Sequence, residues 1–249
     1  MPGGFVARLQ RPGAFRRSWE AAYDACYEAL RVGVSFMFRP LFLVRRVVPR
    51  PRKDKWDALP DGPVLLCPNH QSYLDPAFLQ LVLKRRVTFV MTDSFYRVKF
   101  ANVAFRLIGA LPVAKGRMAW STMRLTVALL RSGRSVVVFP EGRLSTTGEL
   151  SPAQRGVAVI ARRANVPVVP CAIEGSRFAW PRGARWLHRA DVRIAVGEPL
   201  RWTGEPSREN DQAFADAILS SIAALRERIG SEAAPAGRPA PGRRPSARG

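Results

Sequence analysis

The chain has 249 residues, 47 % of them apolar and 24 % charged, a balance that excludes a disordered, collagen-like or fibrous protein. Three cysteines and two histidines, with no CxxC pair, exclude zinc fingers and disulfide frameworks as organising elements. Forty basic residues against 19 acidic ones give a formal charge of +21, a field that attracts phosphate on lipid, nucleic acid or a soluble substrate.

The N-terminus has no apolar stretch followed by a cleavage site, so no secretory signal is expected. Residues 32–48, VGVSFMFRPLFLVRRVV, are strongly apolar but are interrupted by Arg39, Pro40, Arg45 and Arg46. No stretch reaches the roughly 18 uninterrupted apolar residues of a membrane span. Arg50, Arg52, Lys53 and Lys55 follow directly. An apolar surface bordered by basic residues suits a helix lying in the plane of an anionic bilayer. Residues 1–56 are therefore read as an amphipathic helical membrane-binding arm, with Pro40 breaking its helix. A buried helix pair, 23–38 and 40–48, is the competing reading.

Short apolar runs then alternate with helix-like stretches. Strands are expected at 64–67, 87–91, 111–113, 136–139, 166–173 and 192–196, all rich in β-branched residues. Helices are expected at 76–83, 98–107, 119–130 and 154–163. A last helix at 209–229 places Phe214, Ile218, Ile222, Leu225 and Ile229 on one stripe, which should dock on the core. This alternation predicts an α/β layered domain over residues 57–230, its sheet mixed but mostly parallel and flanked by helices. Residues 231–249 contain almost no large apolar side chain and are expected to form a disordered basic tail.

Ligands of open α/β sheets gather outside the carboxyl ends of the strands. The strand at 64–67 runs into Pro68-Asn69-His70-Gln71-Ser72-Tyr73-Leu74-Asp75-Pro76. Five residues on a regular helix are about 140° apart, so His70 and Asp75 cannot share a helical face. His70 belongs in the turn, with the chain folding back so that Asp75 holds one ring nitrogen and frees the other. Asp75-Pro76 also reads as an N-cap followed by proline at the first helical position. The strand at 136–139 runs into Pro140-Glu141-Gly142-Arg143, where glycine lets the backbone approach a ligand and Arg143 is shaped to grip phosphate. Residues 109–117 form a strand leading into a basic turn with Lys115, Gly116 and Arg117. The prolines of Val166-Pro167-Val168-Val169-Pro170 place that strand at a sheet edge, or end it at Pro170.

In this order and spacing the four motifs resemble those of the glycerophosphate acyltransferase family, its bacterial 1-acylglycerol-3-phosphate acyltransferase branch in particular. The resemblance covers residues 60–199. It implies His70 as general base and Asp75 as its orienting partner. It implies Lys115 or Arg117 as the phosphate-binding residue of the second motif, with Glu141, Gly142 and Arg143 positioning the acceptor. Asn69 and Pro170 are implied as structural members of their motifs. Two features depart from the family pattern, Lys115 where arginine is usual and Arg143 following Gly142 directly. Both fall on the acceptor side.

The reaction so implied moves a fatty acyl group from acyl-CoA or acyl carrier protein to the free hydroxyl of a lysophospholipid. The acceptor indicated is 1-acyl-sn-glycerol-3-phosphate, giving phosphatidic acid. A thioester is already activated, so no metal or cofactor is expected. The partners are then an anionic membrane surface, the lysophospholipid and the thioester carrier, at the cytoplasmic side of the cell membrane. A glycolipid or amino-lipid acceptor is an alternative. A hydrolase using Ser72 lacks the Gly-x-Ser-x-Gly elbow. A nucleic-acid-binding module lacks a zinc finger, an RNP-like strand or a basic zipper.

Overall fold

Strands buried on both faces must be apolar almost throughout, and the central runs of this chain are. The structure is a computed structural model that describes residues 32, 33, 36, 42–47, 59–83, 85–92, 111–113, 118–145, 147–180 and 186–233. The expected helix at 98–107 lies outside them, as do Lys115, Arg117 and the expected tail of 231–249 from residue 234 on, while residues 231–233 extend the last helix instead of starting the tail.

The elements are β1 (Phe42–Val47), β2 (Leu65–Pro68), α1 (Asp75–Val82), β3 (Val87–Thr92), β4 (Leu111–Val113) and α2 (Met118–Arg131). They continue with β5 (Ser135–Val137), α3 (Gly156–Ala164), β6 (Val168–Glu174), α4 (Ser176–Ala179), β7 (Ala190–Val196) and α5 (Arg208–Ala233). The strands form one sheet in the order β1-β7-β6-β2-β5-β3-β4. All neighbouring pairs are parallel except β6 with β7. The mixed, mostly parallel sheet flanked by helices is thus present.

Successive side chains of a strand face opposite sides of the sheet. Leu66, Val137, Val169 and Ile173 pack with Phe78 and Leu79 of α1 on one face. Leu65, Cys67, Val136 and Val168 pack with Leu130, Val157, Ile160, Ile218 and Ile222 of α2, α3 and α5 on the other. The Arg162–Asp211 ion pair, at 3.1 and 3.2 Å, ties α3 to α5. After β2 the chain crosses toward β3, and after β5 it crosses back past β2 to β6. The carboxyl ends of β2 and β5 therefore flank a point where connections leave in opposite directions, the usual crevice for a ligand.

Two expectations are corrected. Phe42–Val47 is a strand, not part of an interfacial or buried helix, and it pairs in parallel with β7. Its apolar residues serve a period of two: Phe42 is buried and meets Phe78 edge-on at 5.2 Å, with Val44 packed on the same core. The sheet therefore begins inside the segment assigned to the arm. Of the rest of that segment, Val32 and Phe36 lie in helical turns and are 61 % and 80 % exposed. No helix among the described residues is long and apolar enough to cross a membrane.

The second correction concerns Pro170. β6 is interior and continues through Pro170 to Glu174, between β7 and β2. Its antiparallel ladder with β7 starts at Cys171, and Gly197 N–H donates to the Pro170 carbonyl at 2.8 Å. Pairing on that side resumes past the proline, where Val168 and Leu200 exchange hydrogen bonds at 2.7 Å one residue out of register. The missing proline donor thus falls at an irregularity of the ladder, a place in an interior strand that tolerates it.

Candidate active site

The turn after β2 is clamped before it reaches the histidine. Asn69 is buried; its Nδ2 donates to the Ile173 carbonyl at 2.9 Å, and its Oδ1 accepts the Ile173 N–H at 2.7 Å. The side chain thus continues the ladder to β6 where the backbone has left it. The next residue is His70.

The chain does fold back. Asp75 Oδ2 accepts from Gln71 N–H at 2.7 Å and from Ser72 N–H at 2.8 Å, and it lies 2.9 Å from His70 Nδ1. An ionised carboxylate only accepts, so Nδ1 carries the proton and Nε2 presents its lone pair. The carboxylate is fully buried, whereas the imidazole keeps 17 % of its side-chain surface open. The ring lies on Phe139, with centroids 3.9 Å apart and planes 21° apart. Two independent contacts therefore fix one rotamer while leaving an edge accessible.

This arrangement corrects the reading of Asp75 as an N-cap. Asp75 is the first helical residue, Leu74 is the cap, and the Asp75 carboxylate serves donors that precede the helix. Ser72 is buried; its Oγ accepts the Leu74 N–H at 3.3 Å.

The turn after β5 forms the other wall. Glu141 is buried; its Oε1 accepts the His70 N–H at 2.9 Å, and its Oε2 accepts the Ser151 N–H at 2.8 Å. Ser145 N–H donates to the His70 carbonyl at 2.8 Å. Both backbone groups of His70 are thus held by the segment that follows β5. Gly142 has φ +67°, and a Cβ there would stand 3.2 Å from Gln154 Cγ, so the left-handed turn favours glycine. Arg143 is exposed and donates from Nε and Nη2 to Ser151 Oγ at 3.3 and 3.2 Å.

The predicted residues therefore divide. His70, Asp75, Glu141, Gly142 and Arg143 converge at the carboxyl ends of β2 and β5, with Asn69 locking the first turn. Pro170 belongs to the sheet and not to the crevice. Several contributors carry no sequence signal of their own: Phe139 as the ring's platform, Ser145 and Ser151 as backbone donors, and Gln71, whose Nε2 reaches the Gly148 carbonyl at 3.3 Å and Glu174 Oε1 at 3.5 Å. Phe139 is foreshadowed only by standing at the end of a strand opposite the histidine.

Burial pushes the Cys67 thiol well up, and neighbouring Cys171 adds to that, so Cys67 offers no ready thiolate. Among the described residues no group of three or more His, Cys, Asp or Glu side chains is gathered to hold a metal. A cavity of about 870 Å³ opens on the same sheet edge beside this turn, lined by Leu150, Glu174, Phe178 and Arg226 among others.

Known proteins resemble this chain in sequence and in fold. A family model named Acyltransferase matches residues 50–174. A chloroplast 1-acyl-sn-glycerol-3-phosphate acyltransferase of Brassica napus is 30 % identical over 143 residues, 56 % of this chain and 41 % of that protein. A 1-acyl-sn-glycerol-3-phosphate acyltransferase of Bacillus subtilis is 26 % identical over 172 residues, 68 % of this chain and 83 % of that protein. The chain spans about 40 % of the length of the plant chloroplast relatives it matches. Among solved structures, the 1-acyl-sn-glycerophosphate acyltransferase of Thermotoga maritima superposes with a TM-score of 0.62 at 19 % identity, covering 90 % of this chain and 88 % of that one. This likeness shows the fold.

Proposed function

The chain belongs to the acyltransferase family, and we propose that it transfers a fatty acyl group from a thioester to the free hydroxyl of 1-acyl-sn-glycerol-3-phosphate. The observation that carries this reading is the His70–Asp75 pair, an imidazole pinned on two sides with one nitrogen open toward the crevice.

In this mechanism Nε2 of His70 takes the proton of the acceptor hydroxyl as its oxygen bonds to the thioester carbonyl carbon. Asp75 keeps the ring in the useful tautomer and stabilises the imidazolium that forms. The tetrahedral intermediate collapses, the C–S bond breaks, and the imidazolium returns the proton to the departing sulfur. General-base assistance supplies about 10²–10⁴-fold, and alignment of the two substrates supplies a larger share. A thioester is activated enough for this route to need no metal.

Glu141 acts through the backbone of His70, and Gly142 allows the turn that carries Arg143 to the crevice. Arg143 meets the acceptor phosphate with paired charge-assisted hydrogen bonds. Lys115 or Arg117 supplies the second cation. The donor is acyl-CoA or acyl carrier protein. The acceptor is a membrane lipid, so the enzyme works at the cytoplasmic face of the cell membrane as a peripheral or monotopic protein. The exposed Val32 and Phe36, four residues apart in helical turns, support an N-terminal contact with lipid.

The test is transfer from labelled acyl-CoA and from acyl carrier protein into a panel of lysolipids. Label entering lysophosphatidic acid supports the reading. Label entering only a phosphate-free acceptor would overturn it.

A further inference from the structure

An exposed aromatic cluster lies on the catalytic edge outside the groups used above. β6 ends at Glu174, and Gly175, with φ +82°, turns the chain into α4. A Cβ at Gly175 would stand 2.1 Å from the Asp191 carbonyl oxygen, so the chain leaving β6 and the chain entering its neighbour β7 lie too close for a side chain there. His188 N–H donates to the Ala179 carbonyl at 2.9 Å, closing the excursion at its base.

Ser176 and Ala179 root this excursion in the core, while the large side chains of its described residues face out. Trp186 is 75 % exposed and Phe178 55 %, with Trp180 and Leu187 also exposed. Tyr73, on the His70–Asp75 turn, meets Trp180 edge-on at 6.4 Å. The cluster is therefore continuous with the turn that holds the proposed base. Solvent-facing tryptophans in such number are not needed for folding, since burial contributes nothing where the ring stays in water.

Charge identifies the partner. From residue 177 to residue 190 the sequence contains four arginines and no Asp or Glu. Arg177 and Arg189 are exposed, and the Arg177 guanidinium lies 4.5 Å from the Phe178 ring centroid. Aromatic rings interleaved with arginine match the boundary between lipid headgroups and acyl chains, where an amphipathic ring and a cation are both satisfied. Protein–protein interfaces also collect aromatic rings and arginine, but four arginines with no acid among them call for a continuously anionic partner, which a bilayer of anionic headgroups supplies.

We propose that Phe178, Trp180, Trp186 and Leu187, rimmed by Arg177 and Arg189, dock the catalytic edge onto an anionic lipid bilayer. This is a second membrane contact, separate from the N-terminal segment, and it rests on the reading that the acceptor is a membrane lipid. It would set Tyr73 and the neighbouring His70 turn at headgroup level, so that a lysolipid reaches the imidazole without leaving the membrane.

The test uses the full chain with phosphatidylcholine vesicles, with and without phosphatidylglycerol. Trp186→Ala/Leu187→Ala should weaken partitioning on the order of tenfold and lower transfer into vesicle-borne acceptor in parallel. Transfer into a short-chain, monomeric lysophosphatidic acid should stay unchanged. Arg189→Gln should weaken partitioning on the anionic vesicles alone. Brominated phosphatidylcholine should quench a component of wild-type tryptophan emission that is missing in Trp186→Phe, a reading that needs no truncation. Unaltered partitioning in the double variant, or no quenching assignable to Trp186, would overturn the proposal. If wild-type Trp186 is quenched but no lysolipid is acylated, the docking surface stands and the acceptor reading falls.

Discussion

The two turns that close the crevice each bury a carboxylate, and they use it in opposite ways. Asp75 brings one oxygen to an imidazole and two N–H groups of its own turn, all within five residues of chain. Glu141 spends both oxygens on backbone N–H groups of two distant segments, those of His70 and Ser151. A carboxylate facing a titratable ring changes what that ring does. One facing only amides fixes where the chain runs. Loss of the first one's charge should cost rate, and loss of the second one's acceptors should cost stability.

The largest effect sits on the ring itself. His70→Ala should lower kcat by about 10³-fold or more while circular dichroism and the unfolding midpoint stay near wild type. Asp75→Asn sharpens the contrast. It retains an acceptor for the turn but disturbs the tautomer, and it should cost at least about 10²-fold in kcat with little loss of stability. Glu141→Ala is the converse case. Two enclosed donors lose their acceptor at about 1–2 kcal/mol each, so denaturant unfolding should show roughly 2–4 kcal/mol less stability. A Glu141→Ala protein of wild-type stability would break the comparison.

Smaller changes test the periphery. Arg143→Ala should raise KM for a phosphate-bearing acceptor about tenfold, the worth of a charge-assisted contact, and leave kcat almost unchanged. Equal effects on phosphate-free acceptors would remove Arg143 from the phosphate. Cys67 lies in the sheet beneath the crevice, and its thiol is pushed up by burial and then by Cys171. The unfolded chain gives up this proton at lower pH than the folded one. The contribution is thus intact below the ordinary thiol value of 9.0 and is lost as pH rises beyond it. Thiol reagents should leave Cys67 unlabelled in the native protein at pH 8 and label it in denaturant; labelling of the native protein would contradict its burial.

Much of this was legible in residue order. The interior strands β2, β5 and β6 read as apolar runs because both their faces are covered. The stripe from Phe214 to Ile229 reads as a helix because only one face of α5 meets the sheet. Phe42–Val47 was not legible as a strand: its partner, β7, lies far along the chain at Ala190–Val196. Local sequence shows apolar residues broken by proline and arginine, a pattern helix and strand share. Pro170 misled for a related reason, since the rule against proline in central strands assumes a regular ladder, and here the pairing shifts by one residue at the proline.

At the site, the spacing of His70 and Asp75 gave the fold-back, because a helix cannot join them. It did not give the direction in which the carboxylate turns. A helix cap and an imidazole partner both place aspartate before proline, and only the positions of the Gln71 and Ser72 amides separate them. Glu141 looked like a ligand-facing charge because its acceptors' partners are backbone, and backbone leaves no mark in sequence.

The most direct test of the central claim is single-turnover transfer of labelled acyl-CoA into lysophosphatidic acid vesicles, followed for wild type and His70→Ala side by side. The account predicts labelled phosphatidic acid from the wild type and a loss of about 10³-fold or more with the variant, both proteins equally folded. Wild-type turnover by His70→Ala would contradict it.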